Sequence, residues 1–430
     1  MSEANRLAAN ADARQLWRFI GLYGASEMAQ RVTRIVTTIL LARMLLPDAF
    51  GVAAIAITTF ELVRVVANCG IGQAVIRASD ADVASAAEAA WRLLWPLMSI
   101  LMIVQVAIGY VLALVSGRDE LVWMLFVLGG VYLMMPFGLI QTYLTQRANR
   151  HGAVASIATV QALTDNILTA VFALFDLGAW AIILPKVITT PIWVFGMRYC
   201  HHWERDSSVT PLPTREMLSF ALPVIGSELV ATARLQLDKV IVGAVLGIEA
   251  LGVYYFVFNA GLGLSLSITG ALAASVYPYL AEAARQPREL KRRFETSLGR
   301  TAWPVCMIIA VQAALTTLYV PIMFGERWAH VAVLVQLLCL SALAKPLADV
   351  SGQMLRAAGL QTFDFAASTG TMLLCLGAFA LALPMGLTKG IMVLAATTVA
   401  LQLLYAAVAY KMLANLAEGV EPTAVAGSQP

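Results

Sequence analysis

One feature constrains this chain above all others: its apolar residues come in blocks of about twenty, separated by short polar breaks. A block of that length matches the hydrocarbon core of a bilayer. Inside that core a backbone must satisfy its own hydrogen bonds, and a helix does so. The composition agrees. Of 430 residues, 60% are hydrophobic and 13% charged, and the mean hydropathy is +0.77. An average soluble domain carries about 25% charged residues, so this chain cannot coat a soluble globule of its size. Disorder is excluded as well, because it needs low hydrophobicity and high charge. The expected fold class is all-α, a polytopic membrane protein.

Breaks at charges, prolines and glycine clusters divide the chain into twelve predicted spans. They lie near 17–44, 50–75, 91–116, 120–144, 153–175, 178–199, 217–246, 250–282, 298–324, 331–356, 363–384 and 389–414. The connecting segments are short, roughly 20 residues at most, so no soluble domain is expected on either side. The first residues carry no short apolar segment with a cleavage site, and no cleavable signal peptide is expected. An even number of spans puts both termini on one side. That side collects Arg77, Arg92, Arg147, Arg150, Arg198, Arg205, Arg215 and the basic run 285–300. The other holds only Arg43, Arg118, Arg327 and Lys389. By the positive-inside rule the crowded side is cytoplasmic. The basic run reads as part of this topology signal rather than as a nucleic-acid site. The five cysteines are far apart and form no CxxC pair, which argues against a metal site or a disulfide framework.

The chain also resembles itself. A shift of 201 residues pairs Arg14 with Arg215, Phe19 with Phe220, Ser26-Glu27 with Ser227-Glu228, and Gly51-Val52 with Gly252-Val253. Roughly eight of about forty aligned residues are identical without a gap, the weak signal that internal transporter repeats leave. The repeat begins six spans on, so both halves enter the membrane in the same direction. The expected architecture is two parallel six-helix bundles around a central cavity. The N-terminal bundle covers 1–200 and the C-terminal one 217–416. A cytoplasmic linker, 201–216, joins them, and 417–430 forms a flexible cytoplasmic tail.

An ionisable side chain at mid-bilayer costs about 2.5–3.5 kcal/mol on insertion scales, so those present face a partner or a cavity. The first span holds Glu27, Arg31 and Arg34 on one helical face, and the second holds Glu61, Arg64 and Asn68. The seventh holds Glu228, Arg234, Asp238 and Lys239; Asp165 lies in the fifth, Lys186 in the sixth, and Lys345 and Asp349 in the tenth. Pairing within a helix accounts for several of them, since Glu27–Arg31, Arg234–Asp238 and Lys345–Asp349 are spaced i,i+4 and Glu61–Arg64 i,i+3. As a set, the cations come from both repeats and fit a cationic chamber. Arginine suits bidentate binding of phosphate or carboxylate, so the expected cargo has an anionic head group. Arg31, Arg34, Arg64, Arg234 and Lys239 are the candidate substrate-binding residues. Glu27, Glu61, Asp165, Glu228 and Asp238 are candidate carboxylates for coupling to a proton or sodium gradient. No catalytic group, metal site or other cofactor is expected.

Several stretches resemble one known family. Leu41-Ala42-Arg43-Met44-Leu45-Leu46-Pro47-Asp48-Ala49-Phe50-Gly51 is similar to the first-helix exit of bacterial polysaccharide and oligosaccharide flippases, of the multidrug/oligosaccharidyl-lipid/polysaccharide transporter superfamily. Cys69 through Arg77 resembles the end of that family's second helix, and Pro136 through Arg147 its fourth-helix stretch with a Gln-Arg end. Gln236 through Gly243, Leu251 through Tyr255, and Ala274 through Leu280 resemble the start of its second half. The resemblance covers about residues 14–410; some relatives are longer, with fourteen spans.

The resemblance implies translocation of an undecaprenyl-pyrophosphate-linked oligosaccharide by alternating access, feeding O-antigen, capsule or exopolysaccharide synthesis at the bacterial inner membrane. It implies membrane lipids and polysaccharide-assembly proteins such as a polymerase as partners, and no nucleic acid. Two other readings stand beside it. A multidrug antiporter of the same superfamily would need a net acidic pocket. A membrane polysaccharide polymerase would need a large outer loop, which the chain lacks.

Overall fold

The computed structural model describes residues 30, 32–67, 70–206, 208–263, 276–277, 279–284 and 286–418. Among them the regular structure is helical throughout, with no strand. Eight helices are long and apolar enough to cross a membrane, and ten spans result if each of two bent helix pairs is one span. The protein is a multi-pass α-helical membrane protein. The predicted spans 17–44 and 250–282 each run partly outside the described residues.

The chain divides into two compact units, Met1–Gly243 with Gly247–Gly252, and Ala244–Leu246 with Val253–Pro430. In unit 1, α1 covers 32–44. It is followed by α2 (Pro47–Ala67), α3 (Ile71–Arg77), α4 (Val83–Ser116), α5 (Glu120–Met134), α6 (Pro136–Arg147), α7 (His151–Leu174) and α8 (Trp180–Cys200). The next helix, α9 (Thr214–Ala260), is interrupted at Gly247, whose φ of 85° only glycine adopts at no cost. That break falls between the predicted seventh and eighth spans.

Lipid offers no hydrophobic drive between helices, so small residues and buried polar links do the packing. Buried Val52, Ala53, Ala54 and Ala56 let the neighbours of α2 approach closely. Between α4 and α5, the amide of fully buried Gln105 donates to the Leu125 carbonyl at 2.8 Å and its oxygen accepts from Tyr132 Oη at 2.6 Å. Each of these groups would be costly in hydrocarbon alone.

The two ends of unit 1 differ in charge. At one end Arg147 binds Asp80 and the carbonyls of Ile76 and Ala78, Arg150 donates to Cys200 O, and Glu88 takes both Arg92 and Arg205. At the other end of α4, Arg118 pairs with Asp48 at 2.5 Å. The loops that the charge bias separates therefore do gather at opposite ends.

The repeat register has a structural counterpart inside unit 1. A Cβ at Gly51 would overlap the carbonyl oxygen of Ile248, and one at Gly252 would overlap that of Pro47. The 201-residue shift pairs 47 with 248 and 51 with 252. The contact is thus reciprocal, as a local two-fold axis requires, and both backbones come too close for any residue but glycine.

Unit 2 comprises α10 (Pro287–Ser297), a π turn over Leu298–Ala302, α11 (Trp303–Ala314), α12 (Thr316–Phe324), α13 (Ala332–Ser341), α14 (Lys345–Ala357), α15 (Gln361–Ala382) and α16 (Leu387–Glu418). Its core includes Leu280, Phe294, Val350, Met354, Leu355, Ala409 and Leu413. Trp328 is buried and stacks on Phe256 with 3.8 Å between ring centroids.

Two of the predicted spans are bent. The fourth bends by 50° between α5 and α6, where Pro136 starts a new helix, and the ninth bends by 64° between α11 and α12. Proline cannot give the next helix's hydrogen bond to the previous turn, which explains the first bend. The second falls at Leu315, where the sequence carries neither proline nor glycine. Pro96, Pro185 and Pro191 lie inside helices that continue through them.

Candidate functional site

Unit 1 contains a cavity of about 350 Å³. Arg64 of α2 lines it, with Gln73 of α3, Gln146 and Tyr143 of α6, Gln161 of α7, and Thr190 and Trp193 of α8. Val131, Met135 and Leu139 supply an apolar part of the wall.

Arg64 is held from two directions. Its guanidinium donates to Glu61 Oε2 at 2.8 Å and lies 5.5 Å from the centroid of the Phe60 ring. Phe60 in turn stacks on Tyr132, whose hydroxyl is fixed by Gln105. A chain of packed groups therefore runs from the α4–α5 contact to the cavity wall. The Arg64 side chain remains 42% exposed, so the ion pair leaves part of its donor fork open.

Two glycines seat two aromatic rings. A Cβ at Gly72 would overlap the Tyr143 ring, and one at Gly138 would lie 2.9 Å from Trp193 Cζ3. With no Cβ at either glycine, both rings pack close to helix backbone where they border the cavity. The hydroxyls of Thr142 and Thr190 donate to carbonyls one turn back, at 2.8 and 2.7 Å. Toward the cavity they offer acceptor lone pairs only.

An ion pair sits one helical turn from this wall. Lys186 Nζ lies 3.4 Å from Asp165 Oδ2, joining α8 to α7. Asp165 follows Gln161 by four residues and Lys186 precedes Thr190 by four, so the pair and the cavity residues share helix faces. The other oxygen, Asp165 Oδ1, is buried with no hydrogen-bond partner among the described residues.

The sequence-predicted residues divide as follows. Arg64 and Glu61 pair as their spacing requires, and Arg64 reaches the cavity. Arg34 is exposed on α1. Lys239 is buried, donates to the Leu235 carbonyl at 2.7 Å and lies 3.1 Å from Asp238. Glu228 is exposed on α9. Glu27, Arg31 and Asn68 lie outside the described residues, as does the side chain of Arg234. Lys345 and Asp349 pair at 2.8 Å on α14. In the linker, burial lowers the pKa of His201, and nearby Arg150 and His202 lower it further.

Sequence reasoning missed three lining amides, Gln73, Gln146 and Gln161. It also missed Glu88, buried between Arg92 and Arg205, and Asp364, which accepts from Arg356 at 2.8 Å and from Tyr405 Oη at 2.5 Å. A neutral amide gives no charge signal inside a polar break, and Gln73 and Gln146 stood out only as parts of family-like stretches.

Comparison with known proteins adds three findings. A family model described as "Polysaccharide biosynthesis protein" matches residues 40–333. Among curated proteins, the "Uncharacterized membrane protein in cps region" of Klebsiella pneumoniae is 22% identical, covering 74% of this chain and 66% of that one. The "Teichuronic acid biosynthesis protein TuaB" of Bacillus subtilis is 21% identical, covering 72% of this chain and 65% of that one. The chain thus spans just under two thirds of the length of these relatives. Among solved structures, "Lipid II flippase MurJ, inward closed conformation" superposes with a TM-score of 0.72 at 12% identity, covering 92% of this chain and 90% of that one.

Proposed function

We propose a transport function from one premise: the chain belongs to the polysaccharide biosynthesis protein family. It carries a polyprenyl-pyrophosphate-linked oligosaccharide across the bacterial inner membrane by alternating access, both termini lying in the cytoplasm. It acts as a transporter and not as an enzyme, and it feeds a polymerase on the far side. The observation that carries this reading is Arg64, an arginine kept within a membrane helix, oriented by Glu61 and Phe60, and facing a cavity. Such a guanidinium is expensive in a bilayer and is matched to a phosphate oxygen pair. The relatives' names and the likeness to a lipid II flippase support the cargo class.

The pyrophosphate meets Arg64, with Arg31, Arg34, Arg234 and Lys239 as further cations, while the lipid tail stays in the bilayer. The two access states differ in their affinity for this head group, and that difference moves the cargo. A proton or sodium gradient supplies the energy. Asp165 is the best-supported coupling carboxylate among Glu27, Glu61, Asp165, Glu228 and Asp238. It has one unbonded buried oxygen and a lysine partner one turn from the cavity.

The test is complementation of a strain lacking its oligosaccharide flippase. Wild type restores surface polysaccharide and clears the accumulated lipid-linked oligosaccharide; Arg64→Ala does neither at equal protein level. Resistance to organic cations with no polysaccharide phenotype would assign the chain to multidrug antiport instead.

A further inference from the structure

The flippase reading explains Arg64 but not the rest of the cavity wall. Gln73, Gln146 and Gln161 come from three different helices, α3, α6 and α7, and border one space of about 350 Å³. None of the three side chains has a hydrogen-bond partner among the described residues. The amide of Gln105, by contrast, is bonded across helices to Leu125 and Tyr132. A pyrophosphate does not need such a wall. It takes donors only, and an amide oxygen turned toward it would repel it.

Each amide carries two donors and an acceptor carbonyl. A pair of neighbouring hydroxyls, each both donor and acceptor, matches that set in a way a phosphate does not. Trp193 borders the same space, with its ring held against Gly138. An indole bordering the space supplies apolar area of the kind that covers the C–H face of a pyranose. The volume lies near the lower end of the ~300–1,000 Å³ usual for small-molecule sites. It suits a sugar or two rather than a whole repeat unit.

We infer that this cavity is a saccharide subsite: Gln73, Gln146 and Gln161 bind hydroxyls of the sugar nearest the pyrophosphate, Trp193 packs on its ring, and Arg64 holds the linked phosphate. The inference rests on the flippase reading and adds a division of labour to it. The guanidinium reads the carrier lipid, which every such cargo shares. The amides read the sugar, which differs between polysaccharides. Gln73 is exposed and Gln146 and Gln161 are half-buried, so a wrong sugar loses the hydrogen bonds these amides would give the right one.

The experiment is equilibrium binding to the full-length protein in lipid nanodiscs. One ligand is bare undecaprenyl pyrophosphate. The other is the undecaprenyl-linked oligosaccharide extracted from the host strain deleted for this gene. Wild type is expected to bind the glycosylated lipid about tenfold more tightly than the bare one. The triple variant Gln73→Ala/Gln146→Ala/Gln161→Ala loses that increment and keeps wild-type affinity for the bare lipid. Trp193→Phe keeps an aromatic face and gives a partial loss of the increment only. Arg64→Ala weakens both ligands by the same factor. The subsite is overturned if wild type does not discriminate the two lipids, if the triple variant still does, or if it loses both equally. Failure of wild type to bind either lipid would remove the flippase reading itself, and the subsite with it.

Discussion

In unit 2 the charges of α14 and of the start of α15 are spent on one another. Lys345 pairs with Asp349, while Arg356 and Tyr405 both converge on Asp364. In unit 1 the polar groups around the cavity are not closed off. Arg64 keeps part of its donor fork, three amides have no partner among the described residues, and Asp165 has a free oxygen. A paired charge in a bilayer is explained by folding, because its partner offsets the desolvation. A half-open hydrogen-bonding set around a space stays available to a ligand. Under the proposed function, the difference fits structural roles for these charges of unit 2 and a ligand role for Arg64 at the cavity of unit 1.

Substitutions that separate transport from stability would break or sharpen this contrast. The largest transport effect is expected for Arg64→Ala, a fall of about two orders of magnitude, or ~3 kcal/mol, as for a truncated charge pair. Export in cells, normalised to folded protein in the membrane, measures it. Gly72→Ala pushes the Tyr143 ring from its seat and costs ~1–3 kcal/mol of stability. Its transport is expected to drop several-fold, and a thermal-melt comparison separates the two contributions.

Asp364→Ala in unit 2 leaves Arg356 and Tyr405 without their shared acceptor and lowers stability by ~1–3 kcal/mol. Transport per folded molecule stays unchanged. A specific transport defect there would erase the contrast between the units. The smallest effect is expected for Arg118→Ala. Its pair with Asp48 is 40% and 46% exposed, and such pairs contribute under ~1 kcal/mol. Melting point and transport should both match wild type.

Much of the fold is legible in the sequence, because a bilayer demands long apolar helices and charge bias sets their ends. The break at Gly247 and the bend at Pro136 follow from residues with known backbone consequences. The bend at Leu315 does not, since neither proline nor glycine stands at the break. The site was legible where charge marked it. Glu61 and Arg64 could be paired from their spacing. The Asp165–Lys186 pair could not, because its partners sit on two helices whose facing surfaces only tertiary packing decides. The glutamines carry no charge, so their convergence emerges only once α3, α6 and α7 are assembled.

The most direct test of the central claim is translocation in proteoliposomes. Purified protein is reconstituted with undecaprenyl-linked oligosaccharide in both leaflets, and a membrane-impermeant glycosidase or lectin reports how much becomes accessible from outside. Wild type is predicted to expose the inner-leaflet pool within minutes, Asp364→Ala to do so at the same rate per folded molecule, and Arg64→Ala to leave it protected as empty liposomes do. Equal rates for wild type and Arg64→Ala, or no translocation by wild type under either a proton or a sodium gradient, would contradict the account.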